Sequence, residues 1–389
     1  PVLLKPCPMR PPDGRIGYFI AAHKACMFYL SLRIWERSLV DNMSKRGFAP
    51  LRYRLESETP KSGEVTEVAD GVFWARMPMG GRLNHINVWL LRDDDGWTIV
   101  DTGIGTDETK ELWEQLFEKH LNNKPVKRLV VTHMHPDHIG LAGWLVDKWD
   151  VDLWMTRSEY LMCRNLVADN GKEAPEEGLR FYRAAGFDED FLNIYRSRFG
   201  WYGARISPLP NAIHRMVDGQ EISIGDHKWT VIVGNGHSPE HACLYCSDLN
   251  VLVSGDQILP RISSNVSVRP TEPNENPLAD WLNSCRMLIR RLPADALILP
   301  SHGRPFYGAH ERLRQLIEEH EENLEKLYAL CAEPKRAVDT FPALFKGEIG
   351  ENNLIIAIGE SLAHLHYLLA EGRIAVESNE DGANMYYSI

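Results

Sequence analysis

Thr132-His133-Met134-His135-Pro136-Asp137-His138-Ile139-Gly140 follows directly on the apolar run 128–131, and its reading decides the fold. Three imidazoles and a carboxylate within six positions are the ligand types of a divalent-metal site. A strand ending at Val131 projects the loop outward. It sets His133 and His135 on one side of an extended segment, with Asp137 and His138 at the mouth of a following helix. Such an arrangement can hold two metals.

Upstream, residues 65–68, 71–77, 86–92 and 97–100 read as a β-meander separated by Asp-Gly and Asp-Asp-Asp-Gly turns. Asp101-Thr-Gly-Ile-Gly-Thr then opens a helix over 107–121, followed by a strand at 128–131 and a helix over 139–149. Residues 157–207 are rich in Arg, Tyr and Phe and lack a strand signal; they read as a helical insertion. Strands return at 221–224, 228–233, 242–246, 251–254 and 296–299, the last preceded by a helix over 277–292. Two strand-rich halves, each followed by helices, imply an α+β sandwich of two mixed sheets with helices outside. A charge-laced helix over 309–331 leads to a tail with helices at 337–345, 353–358 and 360–371 and strands at 373–377 and 385–389. Helices followed by a hairpin are the order of elements in a winged helix.

Further ligand types stand at strand ends: His237 and His241 after 228–233, Asp256 after 251–253, His302 after 296–299. Loops at strand ends are where a rigid scaffold presents chemical groups. The ordered set resembles the metallo-β-lactamase fold superfamily, whose HxHxDH run is matched by His133, His135, Asp137 and His138. Its later histidine, aspartate and last histidine are matched by His237, Asp256 and His302, and Asp101-Thr-Gly is similar to its first motif.

The resemblance covers residues 65–302 and implies a four-layer αββα sandwich. It implies one metal held by His133, His135 and His237, a second held by Asp137, His138 and His302, and Asp256 as the bridge. Asp137 and Asp256 are the implied catalytic groups, and Asp101 supports the site from outside. The implied cofactors are two divalent ions, zinc first, with iron and manganese as alternatives. His241 reads as support for the site rather than a ligand. The resulting domain plan is a peripheral extension at 1–45, a catalytic domain at 46–308 with the insertion 157–207 capping its cleft, a connecting helix at 309–333 and a winged-helix-like domain at 334–389.

Composition narrows the functions. The formal net charge of −11 over 389 residues disfavours a surface devoted to nucleic acid. Seven scattered cysteines form no disulfide framework and fit the cytoplasm. Cys243 and Cys246 have zinc-knuckle spacing, but on a strand residues three apart face opposite sides, so they read as core. The apolar segment 16–32 is interrupted by His23 and Lys24 and is too short and polar for a membrane span; Met43 reads as a translation start. Gly103 and Gly105 lack the third glycine of a dinucleotide loop. Asn84 and His85 divide equally between a substrate-facing flap and an ordinary turn. Tyr195, Arg198, Trp201, Tyr202 and Arg205 divide between capping the cleft and helix packing, with packing favoured.

The leading expectation is a metal-dependent hydrolase of a small ester, thioester or lactone, resembling glyoxalase II-like enzymes in its metal motif, with a homodimer as the candidate assembly. The alternatives are a two-metal endoribonuclease or other phosphodiesterase that uses the tail, and a non-catalytic interaction protein. The complete ligand set argues against the last.

Overall fold

A computed structural model describes residues 49–55, 59–80, 83–347 and 349–389. The expected peripheral extension at 1–45 and the start at Met43 lie outside the described residues.

Two seven-stranded sheets form the frame. The first runs β2 (Val65–Ala69), β3 (Val72–Pro78), β4 (His85–Asp93), β5 (Gly96–Val100), β6 (Val126–Val130), β7 (Leu153–Thr156) and β8 (His214–Met216) in spatial order. It is antiparallel from β2 to β5 and parallel from β5 to β8. The second runs β1 (Arg52–Tyr53), β14 (Phe306–Tyr307), β13 (Leu297–Pro300), β12 (Val251–Gly255), β11 (His241–Cys246), β10 (His227–Gly234) and β9 (Glu221–Ile224). Only β12 and β13 are parallel there.

The period of two along each strand decides which layer a side chain joins. On β4, Trp89 and Leu91 enter the layer between the sheets, with Trp229, Val231, Leu244 and Val253 from the opposite sheet. Ile86, Val88 and Leu90 face the other way, under helices. The strands are therefore buried on both faces, as expected of sheets covered by helices. Cys243 and Cys246 obey the same rule, falling in different core layers. All five described cysteines are free and buried.

Helices cover both outer faces. Over the first sheet, α1 (Asp107–Lys119) starts at Thr106, whose hydroxyl accepts from Thr109 N at 3.2 Å, and buries Trp113, Leu116 and Phe117 at helical spacing. The expected helix over 139–149 is instead two pieces, α2 (Pro136–Ile139) and α3 (Ala142–Trp149). Its backbone is committed elsewhere: Ser207 N donates to Gly140 O at 2.7 Å, and Leu141 N donates to the Thr102 hydroxyl at 3.0 Å.

The insertion is helical as expected, with α4 (Arg157–Ala168), α5 (Glu176–Ala184), α6 (Glu189–Arg198) and a 3-10 turn at Trp201–Arg205. The short strands β1, β7, β8 and β14 are not legible as separate elements in the sequence, where such short runs carry little periodicity.

Over the second sheet lie α7 (Pro277–Arg291), α8 (Ala309–Leu330) and the tail, which contains α9 (Phe341–Leu344), α10 (Glu351–Ala370) and the hairpin β15 (Ile374–Ser378) with β16 (Asn384–Ser388). Leu324 and Leu327 of α8, Leu365 and Leu368 of α10, and Ile374 and Tyr386 of the hairpin share one core with Ile232 and Cys243 of the second sheet. Each fully buried leucine there contributes about 1.5–3 kcal/mol. Leu179, Tyr182, Leu192 and Tyr195 of the insertion join the same core.

The helices expected at 353–358 and 360–371 are one continuous helix, α10. Gly359 does not break it. A Cβ there would lie 2.7 Å from Ser267 Cβ, and Gly359 O accepts from Val268 N at 3.0 Å. The glycine serves close approach of a loop to the helix. By length and composition Asn353–Ala370 could cross a membrane, but 56 % of that stretch is buried in this core.

Candidate metal centre

The site sits where four strands end, one from the first sheet and three from the second. β6 leads into His133, β10 into His237, β12 into Asp256 and β13 into His302. Thr132 O accepts from Ala242 N at 2.8 Å, which ties the first metal loop to the second sheet. Pro136 opens α2 at a position where no N–H is needed, and Asp137 lies in its first turn.

All seven expected ligand residues converge. One nitrogen or oxygen from each of His133, His135, His237 and Asp256 lies within 4.8 Å of the others, and Asp137, His138 and His302 form a second such group. His133 Nε2 is 3.2 Å from His237 Nε2 and 2.9 Å from His135 Nδ1. In the second group, His302 Nε2 is 3.4 Å from Asp137 Oδ2, and His138 Nε2 is 3.6 Å from the same oxygen. Asp256 stands between the groups. Its Oδ2 is 3.5 Å from His237 Nε2, and its Oδ1 is 3.6 Å from His138 Nε2 and 3.5 Å from His302 Nε2.

Bonds of about 2.0–2.2 Å to a tetrahedral ion put ligand atoms about 3.3–3.6 Å apart. The separations around Asp137 and Asp256 fall in that range, whereas those from His133 to His135 and to His237 are shorter, at 2.9 and 3.2 Å. His138 Nε2 and Asp256 Oδ1 are buried and have no hydrogen-bond partner, which is costly unless something else satisfies them.

Three of the five imidazoles, those of His138, His237 and His302, are also held by their outer nitrogen. His138 Nδ1 is 2.8 Å from Asp101 Oδ2, His237 Nδ1 is 2.7 Å from Asn265 O, and His302 Nδ1 is 2.9 Å from His85 O. An acceptor at Nδ1 keeps the proton there and leaves the Nε2 lone pair facing inward. Asp101, at a left-handed φ of 63°, also accepts from Thr132 N at 2.8 Å and from its hydroxyl. His241 behaves as expected of a support: its Nε2 accepts from Asp256 N at 3.0 Å. Gly255 between them has φ 52°, and a Cβ there would meet His241 Nε2 at 2.4 Å.

Electrostatics follow the same partition. Burial, with the neighbouring imidazoles, holds His133 well below the usual histidine range; burial and His237 do the same to His135. Burial also pulls on His138 and His302, but Asp137, Asp101 and Asp256 outweigh it at His138, and Asp256 with Asp137 outweighs it at His302, so both are raised. Burial pushes Asp137 up, yet His138 and His302 bring it down to about 2. The site is built to gather positive charge.

Several supporting residues were not singled out in the sequence. Glu159, fully buried on α4, accepts from Met134 N with Oε2 and from Glu240 N with Oε1, both at 2.9 Å. It thus spans the two loops that carry His133, His135 and His237. Glu240 returns the contact by accepting from Ser158 N at 2.9 Å, at the start of α4. Asn87 donates to Pro300 O at 2.7 Å and Gly303 O at 2.9 Å, bracing the His302 loop from the first sheet. Arg269 comes within 3.3 Å of His135 Nε2.

His85 faces the His302 loop, its Nε2 accepting from Gly303 N at 3.1 Å, so it braces that loop rather than forming a free flap. Of the insertion residues, Tyr202 donates to Met134 O, whereas Tyr195 packs in the core. Arg198 donates to Glu351 O at 2.7 Å, and the Arg205 guanidinium sits 4.2 Å over the Trp201 ring.

The tail reaches the centre through Asn265. Its carbonyl accepts from His237, and its amide donates to Glu360 on α10 at 3.1 Å. Burial lifts the Glu360 carboxyl from 4.5 to about 7, against the pull of Asn265. The native state holds a proton that the unfolded chain releases, so this stability is complete below the unfolded value and lost as pH rises through the folded one. The loss amounts to up to about 3 kcal/mol. The Tm of the wild type is expected to fall relative to that of Glu360→Gln between about pH 5 and about pH 8. Parallel Tm profiles would refute this.

With these loops on two facing sheets, the chain belongs to the metallo-beta-lactamase superfamily: residues 81–302 match that family, and residues 324–389 match its C-terminal domain, described as "Metallo-beta-lactamase-like, C-terminal domain". It is a metallo-hydrolase of that superfamily. A beta-lactamase domain protein from Burkholderia ambifaria superposes with a TM-score of 0.80 at 40 % identity, over 87 % of this chain and 98 % of that one. A Bacillus subtilis protein named "Probable metallo-hydrolase YqjP" is 25 % identical over 82 % of this chain and 98 % of its own length. The human protein named "Acyl-coenzyme A thioesterase MBLAC2" is 26 % identical over 64 % of this chain and 83 % of its own.

Proposed function

We propose that the chain is a dinuclear metal-dependent hydrolase of small thioesters, with esters and lactones as the next substrate classes. The observation that carries the two-ion reading is Asp256, whose two oxygens each face one of the two ligand groups. His133, His135 and His237 would hold one ion and Asp137, His138 and His302 the other, with Asp256 between the two groups. The all-nitrogen and oxygen donor set suits zinc, with iron or manganese as alternatives. Such ions supply a water nucleophile at neutral pH and polarise the scissile carbonyl.

The chain's own groups do the rest. Asp137, held near 2, stays ionised at neutral pH and orients the attacking water by accepting its hydrogen bond. The Nδ1 acceptors fix His138, His237 and His302, so their geometry needs little rearrangement during reaction. Arg269 places a guanidinium beside His135 at the rim, where a carboxylate product or an anionic carrier is received. Water adds to the carbonyl carbon, the C–S bond breaks, and the released proton goes to the departing thiolate. The preference for thioesters rests on likeness to the acyl-coenzyme A thioesterase.

The test is a panel of thioesters, lactones, esters, β-lactams and RNA, assayed before and after chelation, with metal content measured and Zn2+, Mn2+ or Fe2+ restored. Turnover of thioesters above the rest, lost on chelation without unfolding and regained with metal, is expected. Thioester turnover unaffected by complete metal removal refutes the proposal.

A further inference from the structure

At the opposite end of the sandwich, His227 opens β10, Cys246 closes β11, and Asp248 follows in the turn to β12. One nitrogen, sulfur or oxygen from each of these three residues lies within 4.8 Å of the others. We propose that His227, Cys246 and Asp248 form a second, mononuclear site for a thiophilic divalent cation of the zinc class, separate from the centre at His133 and Asp256.

Three observations carry it. First, the β10–β11 register makes part of the convergence a property of the fold: Trp229 pairs with Cys246, and His227, two residues before Trp229 on the same strand, shares that face. Asp248 joins them from the turn after β11. Second, bonds of about 2.0–2.3 Å place tetrahedral ligand atoms about 3.3–3.8 Å apart. His227 Nδ1 is already 3.7 Å from Asp248 Oδ2, and the sulfur closes the triangle within 4.8 Å. Third, Asp248 and Leu249, in the turn that follows Cys246, oppose the rise that burial imposes on its thiol. That opposition favours the thiolate, the form that ligates metal.

The surroundings admit a cation. Beside the cluster, a groove of about 140 Å³ is lined by His227, Leu249, Asp70, Asp94 and Asp226, with Arg92 as the counter-charge; of the three proposed ligands only His227 is in that lining. Arg92 is already engaged by Glu67 at 3.5 Å and by Asp70 at 3.7 Å. Burial raises the Cys246 thiol, and the two turn residues work in the other direction. A bound cation displaces the thiol proton outright. Cys243, three residues earlier, takes no part, because it belongs to the other core layer.

The experiment uses the full chain, its main centre first filled with zinc, titrated with cobalt(II) under reducing conditions. The main centre has nitrogen and oxygen ligands alone, so a sulfur-to-cobalt charge-transfer band reports the second site. The band is expected to saturate at one equivalent per chain and to vanish in Cys246→Ser. His227→Ala and Asp248→Asn, at half-buried and exposed positions, keep the test decisive if Cys246→Ser misfolds. Each is expected to need at least about tenfold more cobalt. No band in the wild type, a band retained in Cys246→Ser, or an unshifted midpoint in both other variants overturns the proposal.

Discussion

Asp256→Ala is expected to lower kcat/KM on the best substrate of the panel by about 10²–10⁴-fold, since the transition-state charge stabilisation supplied by bound metal is worth several kcal/mol. It is also expected to reduce bound metal from two ions per chain to one or fewer. The side chain is the sole contact between the two ligand groups made through both oxygens of one carboxylate. Without it His237 loses a negative neighbour, and the raised proton affinities of His138 and His302, which depend partly on Asp256, relax downward. Asp256→Asn keeps the shape and one oxygen but not the charge, so it should retain more metal than Asp256→Ala. Its backbone bond to His241 survives either change. Metal analysis with steady-state kinetics decides the matter: two ions and unchanged kcat/KM in Asp256→Ala would falsify the bridging role.

The second large effect is expected at Glu159, which touches no substrate and is a positioning residue. Glu159→Ala leaves the buried N–H groups of Met134 and Glu240 without their acceptor, at about 1–3 kcal/mol each. Denaturant midpoints should fall accordingly. The readout specific to positioning is metal affinity, expected to weaken about 10- to 100-fold, as loss of groups that orient ligands does. Glu159→Gln retains one carbonyl oxygen and should recover part of both. A variant that loses stability but binds metal as tightly as the wild type would make Glu159 merely structural.

The contrast between Asp256 and Glu159 explains what was legible in the sequence. His133, His135, Asp137 and His138 stand out because imidazoles and carboxylates are rare in a six-residue run after an apolar strand. His237, Asp256 and His302 stand out because each follows a strand, and the alternation of apolar residues placed those strands within a few positions. The supporting groups carry no such mark. Glu159 lies 25 positions from Met134 and 81 from Glu240, and Asn87 lies 213 from Pro300. Nothing in local periodicity connects them. Glu360 reads as an ordinary polar position on a helix until Asn265 is seen beside it. Gly359 was misleading for a related reason: its backbone role, approach to Ser267, is not encoded next to it.

The same long-range bracing has a consequence for how the molecule acquires its chemistry. Because Asn87 and His85 of the first sheet grip the loop of His302 in the second, the seven candidate ligands come together only once both sheets have docked. Contacts this distant in sequence form late and slowly. An ion held there would therefore recognise the finished molecule and not its precursors, acting as a latch on the completed assembly. At a free-ion concentration 100 times its Kd, each such ion would add about 2.7 kcal/mol to the native state. Metal supply would then govern how long the folded chain persists as well as what it turns over.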